Sequence, residues 1–295
     1  MRERYQAVAS VLARVLVLNL VVAVAKLVLG YLTGAVSVVS DGFHSLTDAF
    51  SNVVAMVAVR VARKPPDQDH PYGHRKYETI AAAAIAGFLI VVIIEIVQTA
   101  IGRFHSGQSP EVPPVAIAVM VGTILVNLLV TRYERRAGER LASEVLLADS
   151  MHTQSDVWTS ITVIVALVAA MLGYPVLDPI AAIIVVVFIG RAAWEIFRST
   201  SDVLSDHIVI AEDDVRAVVM SVPAVMGCHA IRTRGSRDFV FLDLHIWMAA
   251  DTPLSDAHEI SHNVKDRLMT RFPEIGDAII HIEPPPRDDD PRQRG

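Results

Sequence analysis

A single cysteine, Cys228, stands in the 295 residues. That excludes an internal disulfide framework and fits a reducing compartment. H-E-x-x-H occurs once, as His258-Glu259-Ile260-Ser261-His262, beyond the apolar runs, so no candidate membrane helix carries that metalloenzyme signature. The basic residues form no continuous patch with interleaved aromatics, which leaves no support for nucleic-acid binding. The apolar run that opens near Val8 has no small-residue cleavage site with signal-peptide flanks. It is therefore expected to be a retained membrane helix.

What the chain has in excess is apolar residues, 53% of the total, with a mean hydropathy of +0.44. An ordinary soluble domain is less apolar than this. The formal charge of −6 hides a segregation of charge along the sequence. Six segments suit a bilayer crossing of ~20 residues each: about Val8–Thr33, Val36–Ala62, Thr79–Ile101, Pro114–Tyr133, Leu147–Leu172 and Pro179–Phe197. Arg2, Arg4, Arg63, Lys64, Arg75, Lys76, Arg132, Arg135, Arg136, Arg140 and Arg198 all fall on one side of that arrangement, with Arg103 opposite. The positive-inside rule then puts both termini in the cytoplasm.

Two octapeptides interrupt the apolar runs. Asp41-Gly-Phe-His44-Ser-Leu-Thr-Asp48 and Asp149-Ser-Met-His152-Thr-Gln-Ser-Asp156 both spell D-x-x-H-x-x-x-D. On a helix, residues four apart share a face, so each helix offers an imidazole beside a carboxylate. Two such helices offer two nitrogens and two oxygens, a set that suits tetrahedral zinc. Ionisable residues at membrane depth are costly and mark ion paths. The expectation is a transporter of a divalent metal, with His44, Asp48, His152 and Asp156 as ligands of the cargo. Asp41 and Asp149 precede the histidines by three residues. They either orient a metal-bound imidazole or meet water at the helix mouths.

Beyond about Ser201 the pattern changes. Glu212–Ser221 reads as an amphipathic helix, His229–Arg234 and Phe239–Trp247 as strands around a turn at Gly235-Ser236-Arg237, Ser255–Phe272 as a helix capped by Ser255, and Ala278–Ile282 as a last strand. In the second strand Val240, Leu242, Leu244 and Ile246 alternate with Phe241, Asp243 and His245, the period of a half-buried strand. The expected architecture is a six-helix transmembrane domain at residues 1–202 and an α-β-β-α-β cytoplasmic domain at 203–285. The tail at 286–295, rich in proline and charge, is expected to be disordered.

Two further groups carry metal-ligand chemistry. Asp67, His70 and His74 flank Pro71 and Gly73 in the loop after the second span. They form either a carboxylate–imidazole metal site or a solvated polar loop, and the bare sequence favours the loop. His229, His245, His258, His262, His281 and Glu283 crowd one small domain. Singly each reads as a surface or core residue, and together they suggest a regulatory metal site. Cys228 reads as a buried, inert thiol.

The octapeptides, the H-P-Y-G-H-R-K loop and the α-β-β-α-β tail, in this order over about residues 8 to 285, resemble the cation diffusion facilitator family, and among its members the bacterial zinc and iron exporters. The resemblance implies a homodimer in the cell's inner membrane that exports divalent metal in exchange for protons by alternating access. It implies a transport site at His44, Asp48, His152 and Asp156, and a loop site at Asp67, His70 and His74. It also implies a binuclear cytoplasmic site at His229, His245, His258, His281 and Glu283. The family pattern carries Asp at the last of these positions, and Glu283 departs from it. Lys76 and Asp206 match an inter-subunit salt bridge, and the tail domain matches a ferredoxin-like module. His at position 44 goes with zinc as cargo. Fe2+, Cd2+ and Mn2+ exporters remain rivals on ligand chemistry. A membrane-anchored metal sensor is a rival of another class, in which the tail domain works and the spans merely anchor it.

Overall fold

The computed structural model describes residues 2–33, 36–106, 114–171 and 177–285. Within these stretches some side chains, those of Asp41, His44 and Asp48 among them, lie outside the described residues, as does the tail at 286–295. The chain divides into two compact units, Met1–Ser201 and Asp202–Gly295.

The first unit consists of long helices: α1 Arg2–Thr33, α2 Val36–Ala62, α3 Lys76–Ser106, α4 Pro114–Leu141, α5 Glu144–Met171 and α6 Leu177–Leu204. Most outrun the expected spans, because their charged ends continue the helix beyond the apolar stretch. Glu3–Leu29, Lys76–Gln98 and Ile117–Leu141 are long and apolar enough to cross a membrane. α2, α5 and α6 are of similar length and carry charged residues along it. α1 packs along α2, α4 along α5, and α3 against both α2 and α5. α6 adds Val185, Ile189, Ala193 and Ile196 to the shared core, a stripe at helical spacing. Small residues such as Ala55, Ala81, Ala82 and Ala86 line that core, letting backbones approach as lipid-embedded helices require. At Gly42 an added Cβ would sit 2.9 Å from the Leu27 side chain, so a larger residue would push α1 off α2. The outward faces are apolar too: Val17, Val21, Val24 and Val28 of α1 and Val187, Phe188 and Trp194 of α6 are exposed. Such a surface suits hydrocarbon rather than water.

Arg4 ties the ends of four helices together. Its guanidinium donates to Glu78 Oε2 at 2.9 Å and Oε1 at 3.3 Å, and to the carbonyls of Leu141 and Ala142 at 2.7 Å each. Ser143 Oγ donates to the same Glu78 carboxylate. The α4 carbonyls, which a helix leaves without internal partners, are thus closed by a residue distant in sequence.

The second unit is α7 Glu212–Val219, β1 Gly227–Ser236, β2 Phe239–Trp247, α8 Leu254–Arg271 and β3 Ile275–Glu283. The sheet order is β1-β2-β3, with β1 antiparallel and β3 parallel to β2. α7 packs on β1, and α8 packs on β3 and on α7. The alternation in β2 is as expected: Val240, Leu242, Leu244 and Ile246 are buried against Val215, Val219, Val264 and Leu268. Burying each such side chain stabilises by about 1.5–3 kcal/mol. The hairpin turn falls at Arg237–Asp238 rather than on Gly235 and Ser236, and both of these stay in β1. α8 starts one residue earlier than Ser255, after Pro253, and no side chain caps it. Ser255 Oγ turns to Asp256 instead, at 3.0 Å.

Candidate metal sites

Helical geometry sets the first site. Asp149, His152 and Asp156 occupy successive turns of α5, and the backbone of α2 carries Asp41, His44 and Asp48 with the same spacing. The side chains of those three α2 residues lie outside the described residues. On α5, Asp149 is 0% and His152 4% exposed. Both line a cavity of about 20 Å³ with Asp156, Asn19, Ser45 and Asn52. That is room for about one water-sized guest among polar groups.

A polar network borders the cavity. Asn19 Nδ2 donates to Asn52 Oδ1 at 2.8 Å, and Asn52 Nδ2 donates to Asp149 Oδ2. Thr153 Oγ1 donates to Glu134 Oε2 at 3.3 Å. Asp149 is thus a buried acceptor, away from the protein surface. Glu134 had no part in the sequence reading. It follows Tyr133, where the fourth span was expected to end, and stands among Arg132, Arg135 and Arg136, yet it is 0% exposed. The usable signal was its phase: α4 runs unbroken to Leu141, and Val130, Glu134 and Ala137 fall on one buried stripe.

The second site is the turn after α2. Asp67 Oδ1 accepts from the backbone N–H of His70 at 2.8 Å and of Asp69 at 3.1 Å. Gly73, at φ +85°, donates to the His70 carbonyl at 2.9 Å, a conformation that suits glycine. The reversal brings His70 and His74 rings to 4.2 Å. Nδ1 of His70 lies 3.3 Å, and Nε2 of His74 3.4 Å, from the Asp67 carboxylate. One ligand atom from each of the three residues falls within 4.8 Å of the others. The His70 backbone N–H chiefly holds the Asp67 carboxyl below its ordinary range. Partial desolvation opposes this, and the side chains of His70 and His74 add to it.

The third site is written across the sheet. His229 pairs with His245 in β1–β2, and His245 with His281 in β2–β3, so one rung carries three imidazoles. Two residues further along, on the same face, Trp247 stands beside Glu283. The Glu283 carboxylate meets His229 Nε2 through Oε1, which also accepts from Trp247 Nε1 at 3.0 Å. Its Oε2 lies 3.6 Å from His245 Nδ1 and 3.9 Å from His281 Nε2. Burial alone would raise the Glu283 carboxyl. The hydrogen bonds from His229 and Trp247 and the fields of His229 and His245 outweigh it and leave the group below its ordinary value. His229, His245 and Glu283 have donors within 4.8 Å of one another, while His281 stays more exposed at the rim. His258 is outside that group. It lies on α8 with its ring 4.5 Å from that of His262, in a groove beside α7. Cys228 is buried, its thiol pushed up by desolvation. Lys76 opens α3 in the first unit, and Asp206 follows α6 in the second at φ 56°.

Known proteins share this order of features. Residues 12–205 match the cation efflux transmembrane domain, and residues 210–285 match the cation efflux protein cytoplasmic domain. An uncharacterized transporter of Methanocaldococcus jannaschii is 30% identical over 90% of this chain and 94% of its own. The cation-efflux pump FieF of Serratia proteamaculans is 31% identical over 88% of this chain and 87% of its own. The manganese efflux system protein MneS of Bacillus subtilis is 28% identical over 90% and 91%. Helices of this apolarity, joined to an α+β cytoplasmic domain and matched along nearly the whole chain, make this integral membrane protein a member of the cation diffusion facilitator family.

Proposed function

We propose that this protein exports a divalent metal ion, zinc before others, from the cytoplasm in exchange for protons, and that it works as a homodimer by alternating access. The observation that carries the reading is the pair of D-x-x-H-x-x-x-D turns on α2 and α5, with His152 and Asp156 at a water-sized polar cavity among membrane helices. His44, Asp48, His152 and Asp156 bind the cargo as two imidazoles and two carboxylates, a donor set that suits Zn2+. Each imidazole must be neutral and each carboxylate ionised to bind metal, so protons and metal compete for the same atoms. Metal entering from the cytoplasm displaces protons, and protons from the far side displace metal once the site has opened outward.

Asp67, His70 and His74 hold a second ion, and His229, His245, Glu283 and His281 a third group of ions that couples metal supply to the dimer. Both sets suit zinc by donor chemistry and by their spacing. His258 joins the third group only if the partner subunit or a shift of α8 brings it there. Lys76 and Asp206 form the inter-subunit ion pair. The protein sits in the inner membrane with both termini in the cytoplasm, where Arg4, Arg63 and Arg140 gather.

Manganese is the second cargo to test, because MneS, similar over nine-tenths of the chain, is named for manganese efflux. Iron and cadmium complete the series on ligand chemistry. The experiment is uptake into proteoliposomes under an imposed pH gradient, each metal separately, with wild type beside Asp156→Ala. Zinc moving against the proton gradient, with the variant silent, is the expected result. Flux that persists in Asp156→Ala overturns the site assignment. Zinc binding without any flux returns the protein to the sensor reading.

A further inference from the structure

Glu134 and Asp149 form a pair that nothing above has used. Both are 0% exposed, and the two carboxyl groups lie within hydrogen-bonding reach of each other. Asn52 serves Asp149 Oδ2, the Ser51 hydroxyl also bonds the Asp149 carboxyl, and Thr153 serves Glu134 Oε2. Glu134 Oε1 and Asp149 Oδ1 are then left without a donor among the described residues. Two ionised carboxylates facing each other out of water suffer both desolvation and repulsion. A protonated carboxyl has one O–H to give. One proton between the pair therefore satisfies both oxygens that lack a donor.

The direction of that hydrogen bond follows from the rest of the network. Asn19 donates to Asn52, which fixes the Asn52 amide so that its NH2 group points to Asp149. Asp149 thus already acts as an acceptor through Oδ2. Glu134 meets the same carboxyl group from α4. The linked chain Asn19–Asn52–Asp149–Glu134–Thr153 joins α1, α2, α4 and α5. It also grips α5 twice, at Asp149 and Thr153, on the turn that carries His152.

We propose that Glu134 is a positioning residue of the transport site: as a neutral carboxylic acid it donates to Asp149, and its hold on Asp149 and Thr153 fixes the turn of α5 that presents His152. The proposal rests on the reading of His152 and Asp156 as ligands of the cargo. Glu134 itself meets Asp149 and Thr153, neither of which is a proposed ligand.

The test uses the full-length protein with Glu134→Gln and Glu134→Ala. A glutamine amide donates to Asp149 and accepts from Thr153, as the protonated acid does. In proteoliposomes Glu134→Gln is expected to keep the zinc KM within about threefold of wild type. Glu134→Ala is expected to raise it about tenfold or more, the scale for losing a group that orients a metal ligand, with a smaller effect on maximal rate. Infrared difference spectra of the purified protein at neutral pH are read in parallel. The carbonyl stretch of a buried protonated carboxyl is expected in wild type and lost in Glu134→Gln. If Glu134→Gln stops transport as fully as Glu134→Ala, the proton is a working part of the cycle, and the positioning role is overturned. An unaltered KM in Glu134→Ala, or no carboxyl band that depends on Glu134, overturns it as well. A wild type that moves no divalent metal sinks the transport reading and the positioning role with it. The infrared difference then still decides whether the pair shares a proton.

Discussion

The two units handle buried carboxylates in opposite ways. In the helical unit Asp149 and Glu134 are wholly enclosed and find every partner on other helices. In the cytoplasmic unit Glu283 keeps 19% of its side chain exposed, and His281 beside it 61%. The first setting is closed to bulk solvent and the second is open to it. The helical cluster therefore depends on its own side chains for hydrogen bonds, because an unpaired buried polar group costs several kcal/mol in lipid. The sheet cluster can leave polar atoms open, since solvent reaches them. The first cluster is assembled by tertiary packing of four helices, and the second by strand register alone.

This contrast can be broken most sharply at the proposed cargo ligands. Asp156→Ala is expected to reduce proton-driven zinc flux to the background of empty liposomes while leaving zinc binding by the sheet cluster intact, as isothermal titration of the two proteins would show. Next in size is the sheet cluster itself. Glu283→Ala is expected to weaken its zinc affinity about 100-fold, and Trp247→Phe, which removes only the indole donor, about tenfold. Equal losses in the two variants would mean that the carboxylate is held by packing and not by that hydrogen bond. Third, Asn52→Ala strips a partner from Asp149 and from Asn19 and is expected to destabilise the helical unit by about 1–3 kcal/mol. The exposed His262→Ala should stay within about 0.5 kcal/mol. Melting in detergent, followed by tryptophan fluorescence, ranks the two.

The smallest effect concerns pH. The folded protein holds Glu283 below a glutamate's ordinary value of 4.5. The unfolded state therefore takes up the proton first as pH falls. The stabilisation is present above 4.5 and disappears as pH drops through the lowered value. In metal-free protein, the advantage in Tm of wild type over Glu283→Gln should shrink on acidification below 4.5. An advantage that grows there would reverse the sign and with it the account of Glu283.

Much of this was legible in the chain. The six long helices follow from apolar runs, and β2 follows from its alternation, because burial on one face imposes a period that the residues must obey. The Asp67 turn was written in Pro71 and Gly73, although the residues alone favoured a plain loop. What stayed hidden depended on contacts between distant segments. Glu134 was masked by its arginine neighbours, and only the uninterrupted run of α4 reveals which way it faces. That His245 and His281 could face each other across a sheet or a dimer seam was open from their strands, but placing His229 on the same rung needs the register of all three strands, which no local pattern encodes. His258 sits one α8 turn from His262, and its distance from the Glu283 cluster is likewise a matter of how the helix lies on the sheet. Ser255 looked like a cap, but the helix begins ahead of it, at a proline that fixes its own φ.

The irregular step in β1 shows how a strand absorbs one extra residue without turning its faces over. Between His229 and Arg232 the ladder slips by one residue, and Ala230 adopts φ 50° there. An even alternation would put residues 228, 230 and 232 on the inner face. Instead Cys228, Ile231 and Thr233 are buried, and His229 is left on the outer side, opposite His245. The slip acts as a change of phase, a single uncounted beat that lets an apolar strand and an outward imidazole share ten residues. Removing Ala230 would restore the beat without conflict: Cys228, Ile231 and Thr233 would face inward in plain alternation with His229 and Arg232 outward, in the same register against β2.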